Sequence, residues 1–332
     1  MNTSGGASSL KEREIIEIIW ESITKHPEAP VSYGDDASAV ELQNGLLAVL
    51  TVDMLVGRTD VPKNMSLYQA ARKAVVMNIS DLASKGVEPL AVLCSLGLPR
   101  GLSRKDIAEI GRGLNDGARE YGAYIIGGDT NEADDLIIDS VAFGLIERDL
   151  FVSRGGAKPG DIVATTGVFG KIPCGFKIIY EELDVESELR EKLLEPIYYP
   201  KARVKEGVAL SRGKVLSASI DSSDGLAWSL HEISRASGVG FLIRRLPIAD
   251  EAKVFAEKYN LDLKEICLYG GEEYELVLTI KPEKWVKAKS IIERLGSQLI
   301  KIGVATEERS LKLEIDGEEF PIEPRGWEHF NS

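Results

Sequence analysis

Short segments that set Asp or Glu beside glycine or other small residues recur along this sequence. Six of them are Gly34-Asp35-Asp36, Thr51-Val52-Asp53, Asn78-Ile79-Ser80-Asp81, Gly127-Gly128-Asp129-Thr130, Asp221-Ser222-Ser223-Asp224-Gly225 and Gly270-Gly271-Glu272-Glu273. A single Gly-Asp or Ser-Asp pair is ordinary turn or helix-capping chemistry. Six, each near an expected strand end or helix start, favour a shared role, because Mg²⁺ binds a few carboxylates together with substrate phosphates. The pattern therefore predicts a metal-dependent site for phosphorylated ligands.

The overall composition is that of an acidic globular protein. The chain has 332 residues, 44% of them hydrophobic, and its 40 Lys and Arg against 53 Asp and Glu give a net charge of −13. This balance argues against a nucleic-acid partner, because proteins that bind the phosphate backbone carry a basic stripe. No apolar run reaches the roughly 18 residues of a membrane span, and the N-terminus does not resemble a signal peptide. We therefore expect a cytoplasmic protein with no membrane partner.

Other familiar kinds of site are poorly supported by the sequence. The GVFGK segment at 167–171 lacks the spacing and the Ser or Thr of a P-loop, and GRGLNDG at 111–117 falls in the middle of an expected helix. The three cysteines, Cys94, Cys174 and Cys267, are far apart and odd in number. They favour neither a disulfide framework nor a thiolate zinc site, so we interpret them as reduced core residues.

Helices and strands alternate along the whole chain, which predicts an α/β (α+β) fold. In the first part we expect strands at 46–56, 89–98, 123–126 and 136–146, a helix at 103–121, and helices opened by the capping boxes Ser9-x-x-Glu12 and Ser66-x-x-Gln69. In the second part we expect strands at 161–166, 215–220, 274–280 and 299–304, and helices at 201–211, 226–237 and 282–295. A glycine- and proline-containing stretch, SRGGAKPGD, separates the two parts and suits a linker. We therefore place two domains at 1–147 and 148–332.

An ordered set of segments resembles the thiamine-monophosphate kinase family. The segments are GDDASAV, TVDMLV, NISDLASKGVEP, IIGGDT, SRGGAKPGD, DSSDGL, GGEEYELV and GWEHF, and together they extend from Gly34 to Phe330. The family belongs to the superfamily of aminoimidazole ribonucleotide synthetase, hydrogenase-maturation and selenophosphate synthetase enzymes. The resemblance implies a two-domain fold, a homodimer formed through the N-terminal sheets, and the use of ATP and Mg²⁺ to convert thiamine monophosphate to thiamine diphosphate.

The resemblance also implies roles for individual residues. The positions that match magnesium-binding residues are Asp35, Asp36, Thr51, Val52, Asp53, Asp81, Asp129, Asp221 and Asp224, with Thr51 and Val52 contributing main-chain oxygens. The positions that match ATP contacts are Gly128, Asp129, Arg154 and Ser223, and those expected at the thiamine-phosphate site are Asp60, Glu272 and Trp327. We expect Asp129, Asp221 and Asp224 to be catalytic. Two positions depart from the family pattern: Asp60 replaces a common histidine, and Glu273 replaces an aspartate.

The chemistry of phosphoryl transfer agrees with this interpretation. It requires alignment of donor and acceptor and neutralisation of spreading negative charge, not a nucleophilic side chain. We therefore expect direct transfer from ATP to the acceptor phosphate, without a phosphoenzyme. Two alternatives stay open: another ATP-dependent synthetase of the superfamily, and a non-enzymatic protein that binds divalent cations. The first is disfavoured because MNTSGGASSL and the terminal HFNS lack the reactive cysteine of those relatives, and the second because no twelve-residue calcium loop is present.

Overall fold

The N-terminal part of the protein is a sheet covered on one face by helices. The computed structural model describes residues 10–31 and 33–329. Within them, a five-stranded sheet has the order β1-β2-β5-β3-β4, with β3 and β4 parallel and the other neighbours antiparallel. Its elements are α1 (Glu12–Glu21), β1 (Ser38–Glu41), β2 (Leu46–Val56), α2 (Gly57–Asp60), α3 (Leu67–Ser84), β3 (Glu88–Leu98), α4 (Arg104–Arg119), β4 (Tyr124–Glu132) and β5 (Ile137–Glu147).

The C-terminal part contains a second, mixed sheet. Among the described residues it has seven strands in the order β12-β11-β8-β10-β6-β9-β7. Its elements are β6 (Ile162–Thr165), α5 (Lys171–Tyr180), α6 (Ser187–Tyr198), α7 (Val204–Arg212), β7 (Leu216–Asp221), α8 (Leu226–Ser237), β8 (Gly240–Ile243), α9 (Asp250–Tyr259), α10 (Leu263–Tyr269), β9 (Leu276–Ile280), α11 (Trp285–Arg294), β10 (Ile300–Thr306), β11 (Leu311–Ile315) and β12 (Glu318–Pro321). The predicted α/β (α+β) class is confirmed.

Helix α3 lies between the two sheets and carries polar residues into their interface. It starts at the predicted capping box: the Ser66 hydroxyl accepts from the Gln69 N–H, and the Gln69 side chain accepts from the Ser66 N–H. It ends just before Gly86, which adopts φ +76°, a conformation that glycine takes at little cost. Along its length, apolar residues such as Ile79 pack in the core while Ser80 and Asp81 face the second sheet and its loops.

Strand β2 separates a buried face from an exposed one. Leu47, Val49 and Leu55 point into the core beneath the sheet, whereas Val52 and Met54 are 59% and 54% exposed on the other face. This alternation follows from the two-residue period of a strand. It places Asp53 on the inner face, towards α3, while the apolar outer face is not covered by any of the residues that the structure describes.

Several expected elements are confirmed and several others differ. Strand 46–56 and helix 226–237 have the predicted bounds, and 111–117 lies inside α4 as expected. The third strand was predicted at 123–126 but extends from Tyr124 to Glu132, because it continues to pair with β3 as an edge strand that tolerates Gly127 and Gly128. Helix α7 begins at Val204, after Pro200. Nine elements were not predicted, most of which are short or contain a proline: β1, α2, α5, α6, β8, α9, α10, β11 and β12.

The placement of two acidic segments was also predicted incorrectly. Asp81 lies near the end of α3 and not at a helix start, and Asp129 lies within β4 and not in a loop after a short strand. Asp53 lies three residues before the end of β2, as expected. The predicted capping box at Ser9 lies outside the described residues; α1 instead begins after Lys11, whose N–H donates to the Glu14 carboxylate at 2.9 Å. In the part of the chain that the structure covers, every helix is too short or too polar to cross a bilayer.

Candidate active site

Three carboxylates converge at the interface between the two sheets. Asp36 comes from the loop before β1, Asp81 from α3 and Asp221 from the end of β7, and one oxygen of each lies within 4.8 Å of the others. Oδ2 of Asp81 accepts from the Thr51 hydroxyl at 2.5 Å. Oxygen donors this close form a suitable ligand set for a hard divalent cation. This is the predicted convergence of carboxylates from both halves of the chain.

The surroundings of Asp81, Asp221 and Asp53 disfavour the ionised form of each carboxylate. Burial, and then the neighbouring carboxylates of Asp53 and Asp221, raise the pKa of Asp81 well above its usual value. Burial and the charge of Asp36 raise the pKa of Asp221 to about 7 and that of Asp53 to about 6. A cation bound among these groups would reverse these shifts, because it favours the ionised form of each carboxylate.

Two cations of the protein, Arg154 and Lys85, each contact one oxygen of Asp36. Although burial opposes ionisation, Arg154 and then Lys85 lower the pKa of Asp36. Nε of Arg154 donates to Oδ1 of Asp36 at 2.8 Å, and Nζ of the fully buried Lys85 lies 2.6 Å from its Oδ2. Lys85 also donates to the carbonyl of Ser219 in β7 at 2.8 Å. Asp36 is therefore fixed in its ionised form before any ligand binds.

Asp35 has a different environment from Asp36. Its Oδ1 lies 2.6 Å from Nζ of Lys85 and accepts from the Asp36 N–H, while its Oδ2 accepts from the Arg154 N–H at 3.0 Å. Both oxygens are thus engaged with the protein, as are those of Asp36, which contact Arg154, Lys85 and Ser84. What distinguishes the two adjacent aspartates predicted to bind metal is position: Asp36, and not Asp35, has an oxygen within 4.8 Å of oxygens of both Asp81 and Asp221, so the geometry favours Asp36 as the ligand and gives Asp35 a supporting role.

The predicted main-chain ligands lie beside the cluster. The pairing of β1 with β2 ends at Leu50, so at Thr51 and Val52 that edge of β2 extends beyond its partner strand. The Val52 side chain faces the outer surface, so only its backbone could reach the cluster. A metal contact from the carbonyl of Thr51 or Val52 stays a prediction.

A cavity of about 560 Å³ opens over the carboxylates and is lined by both parts of the chain. The predicted site residues that line it are Asp35, Asp36, Asp53, Asp81, Arg154, Asp221, Ser223, Asp224 and Trp327. Burial and the charge of Glu12 raise the pKa of Asp224 to about 6. The size and acidity of the cavity suit a phosphorylated ligand that arrives with cations.

Helix α1 contributes residues to this cavity, among them Glu12 and Arg13, whose presence there was not predicted from the sequence. Arg13 stacks over the Trp228 ring at 3.6 Å and pairs with Glu232 at 2.6 Å. The Glu12 carboxylate accepts from the N–H of His329, which joins α1 to the C-terminal segment that carries Trp327. No motif marks these residues, because their roles depend on how the two chain ends pack together.

The predicted substrate residues Asp60 and Glu272 lie apart from the cavity lining. The Asp60 carboxylate accepts from the Val56 N–H at 2.7 Å, which closes the turn after β2. The Glu272 carboxylate contacts Nζ of Lys73 at 2.5 Å, and Lys73 also donates to the Asp60 carbonyl at 2.9 Å. Lys73 therefore contacts both predicted substrate residues. No functional role was predicted for Lys73 from the sequence.

Gly128 and Asp129 are not brought to the cluster within one chain. Asp129 is exposed on β4 and is paired in register with Ser95 of β3. Ser95 is paired with Asp139 of β5, and Asp139 is paired with Met54 of β2. This row is the exposed row of Met54, on the opposite face of the sheet from Asp53. Three strand spacings of about 4.8 Å also separate β4 from β2, or about 14 Å. The expected convergence of Asp129 with the other aspartates is thus wrong for a single chain.

Two family models match this chain in succession. The AIR synthase related protein, N-terminal domain, matches residues 34–146, and the AIR synthase related protein, C-terminal domain, matches residues 158–316. A two-domain fold of the aminoimidazole ribonucleotide synthetase type is therefore confirmed.

Individual relatives show to which family of proteins with this two-domain fold the chain belongs. The chain is 38% identical to the thiamine-monophosphate kinase of Pyrococcus abyssi, over 97% of this chain and 96% of that protein. It is 33% identical to the thiamine-monophosphate kinase of Nitrosopumilus maritimus, over 97% and 99%. A solved structure of AaThiL complexed with AMPPCP and TMP superposes with a TM-score of 0.84 and 28% identity over 99% of both chains. This chain therefore belongs to the thiamine-monophosphate kinase family, as the order of its acidic segments indicated.

Proposed function

We propose that this protein transfers the γ-phosphate of ATP directly to thiamine monophosphate, producing thiamine diphosphate and ADP. The observation that carries the proposal is the carboxylate cluster of Asp36, Asp81 and Asp221 beneath a cavity shared by both sheets, in a chain related over its length to enzymes of this activity. AMPPCP, the nucleotide in the related complex, is an analogue of ATP, which supports ATP as the phosphate donor.

The donor set fits Mg²⁺. Carboxylate oxygens from Asp36, Asp81 and Asp221 would hold it, with Asp53 and Asp224 at the same cavity as further candidates. Bound Mg²⁺ would neutralise phosphate charge and help to align the reacting groups. Arg154 and Ser223 line the same cavity, which supports a role for both residues in binding nucleotide phosphates.

The protein's own residues have no covalent step to perform. The acceptor is a phosphate oxygen that is largely ionised at neutral pH, so it needs no general base, and transfer in line needs no phosphoenzyme. Asp221 is buried and Asp81 is partly buried, and the lower local dielectric constant strengthens the interaction of both carboxylates with bound cations. Asp221 and Asp224 would therefore be catalytic through charge and position.

We also propose that two copies associate through the outer face of the N-terminal sheet. Val52, Val141 and Leu93 lie in one row across three neighbouring strands of that face, and Ile126 is 65% exposed on β4. An apolar surface of this kind is typical of an interaction site. Gly128 and Asp129 lie on β4, the same edge strand as Ile126. Association would therefore bring a partner chain next to them, and they could then contribute to an active site shared by the two chains. The division into domains 1–147 and 148–332 forms part of the same proposal.

The direct test is an assay with Mg·ATP and thiamine monophosphate, with thiamine diphosphate and ADP separated by chromatography. We expect both products in equal amounts and none without thiamine monophosphate. Absence of product, with free thiamine and other phosphorylated heterocycles also tested, would remove the kinase proposal.

Calorimetry distinguishes the alternative of a cation-binding protein without activity. A kinase site built around phosphates is expected to bind Mg²⁺ weakly until ATP is present, whereas a cation buffer would bind it tightly alone. Tight binding of Mg²⁺ without nucleotide would favour the buffer.

A further inference from the structure

Lys73 is a buried cation at the junction of three segments. It lies on α3 and is 1% exposed. Its Nζ contacts Oε1 of Glu272 at 2.5 Å and donates to the carbonyl of Asp60 at 2.9 Å. One segment therefore comes from the second half of the chain and the other from the turn after β2, and the lysine connects both to the helix that carries Asp81.

An ammonium group in this position needs both contacts. Burial of a lysine is costly unless its charge is paired and its N–H groups are hydrogen-bonded. Glu272 supplies the charge and Asp60 a second acceptor, so the geometry of the three groups is mutually determined. The side chain of Glu272 is 24% exposed, which keeps its carboxylate accessible to a ligand.

The backbone at Glu272 is also held in an unusual conformation. Glu272 adopts φ +65° and Tyr274 adopts φ +52°, backbone angles that residues other than glycine rarely take. The N–H groups of these two residues donate to the carbonyls of Ser223 and Ser222 at 2.5 and 2.9 Å. Glu272 is therefore fixed through its backbone to the loop that carries Asp224 and through its side chain to Lys73. Strain that surrounding contacts maintain in this way is characteristic of functional sites.

We propose that Lys73 is a positioning residue for the acceptor substrate, acting through Glu272. It orients the Glu272 carboxylate towards a cationic heterocyclic phosphate. This inference rests on the proposed kinase function and deepens its acceptor site. It predicts that Lys73 affects binding of the acceptor far more than binding of ATP.

The test compares steady-state kinetics of the wild type and K73M with each substrate varied in turn. We expect the KM for thiamine monophosphate to rise about tenfold or more in K73M, with the KM for ATP within about twofold of wild type. The matched control is K63M, because Lys63 also pairs with a glutamate, Glu182 at 2.8 Å, but on the exposed surface. K63M should leave both KM values unchanged. Equal changes in the two KM values of K73M would overturn the proposal.

A second comparison remains decisive if K73M does not fold. In K73M/E272Q no unpaired carboxylate is left at Glu272, so this variant should fold. If Lys73 acts through Glu272, K73M/E272Q and E272Q should share the same KM for thiamine monophosphate. A double variant that is about fivefold worse than E272Q would show an independent role and overturn the proposal. Wild-type activity is measured first: an inactive wild type refutes the kinase function itself, whereas an active wild type with unsplit KM values refutes only the role of Lys73.

Discussion

The hydroxyl of Ser80 donates a 2.6 Å hydrogen bond to Oδ2 of Asp221 and so joins helix α3 to the end of strand β7. This contact is buried and crosses from the N-terminal to the C-terminal sheet. The hydrogen bond orients the Asp221 carboxylate. Its donor, Ser80, directly precedes Asp81, which is another member of the cluster. The cation site and the interface between the two parts of the chain are therefore one structure.

Replacing Asp221 with Asn should remove activity without removing the fold. An amide cannot supply the negative oxygen that a cation requires, so we expect turnover to fall at least about a hundredfold. The melting temperature should stay the same or rise, because like-charge repulsion in the cluster decreases. Activity assays and thermal unfolding measure the two effects. Asp134→Asn, at an exposed position, is the control, and near-normal turnover in Asp221→Asn would exclude a metal role for Asp221.

The metal-free protein should lose stability as the pH rises. Burial and neighbouring carboxylates raise the pKa of Asp221 from 3.8 to about 7 and that of Asp53 to about 6. Between the unfolded and folded pKa values the folded state retains protons that the unfolded state has lost, so the free energy of unfolding decreases with pH. We expect the melting temperature without Mg²⁺ to fall between about pH 5 and pH 7, and less steeply in Asp221→Asn. A melting temperature that rises over this range in the wild type would contradict the cluster's electrostatics.

Replacing Lys85 with Met should destabilise the protein strongly. Lys85 is fully buried, and its ammonium pairs with Asp35 and Asp36 and bonds to β7, so its loss leaves two buried carboxylates short of a cation. Breaking a buried pair of this kind costs about 3–5 kcal/mol. Chemical denaturation measures the change. Lys214→Met, which removes an exposed pair with Asp149, is the control and should have little effect; equal effects of the two variants would contradict the assigned role of Lys85.

A charge on the outer face of the N-terminal sheet should prevent self-association. Leu93 lies in the apolar row with Val141 and Val52, so Leu93→Lys would bury a charge in the proposed interface. We expect a dimer for the wild type and a monomer for Leu93→Lys in analytical ultracentrifugation, with loss of turnover in the monomer. Leu295→Lys, at an exposed position in the second half of the chain, should remain a dimer. A wild type that is monomeric at assay concentrations would refute the proposed association.

Sequence reasoning was accurate where local patterns are strong. The apolar run of β2, the capping box of α3 and the glycine after it are features of neighbouring residues, and the corresponding elements lie where they were predicted. Asp129 shows the limit of this reasoning. Its GGDT segment identifies the family, but the face on which its side chain lies depends on the register of β4 with β3, which no local pattern specifies.

The amino-acid sequence by itself determined the class of fold, the family and the acidic residues available for cation binding. These follow from periodicity and motifs along the chain. Only the tertiary structure decided which carboxylates meet and which cations hold them: Asp36 is in the cluster and Asp35 supports it, and Lys73 and Lys85 are buried ion-pair partners. The physical reason is that burial and charge pairing depend on segments distant in sequence, which come together only when the two sheets pack around α3.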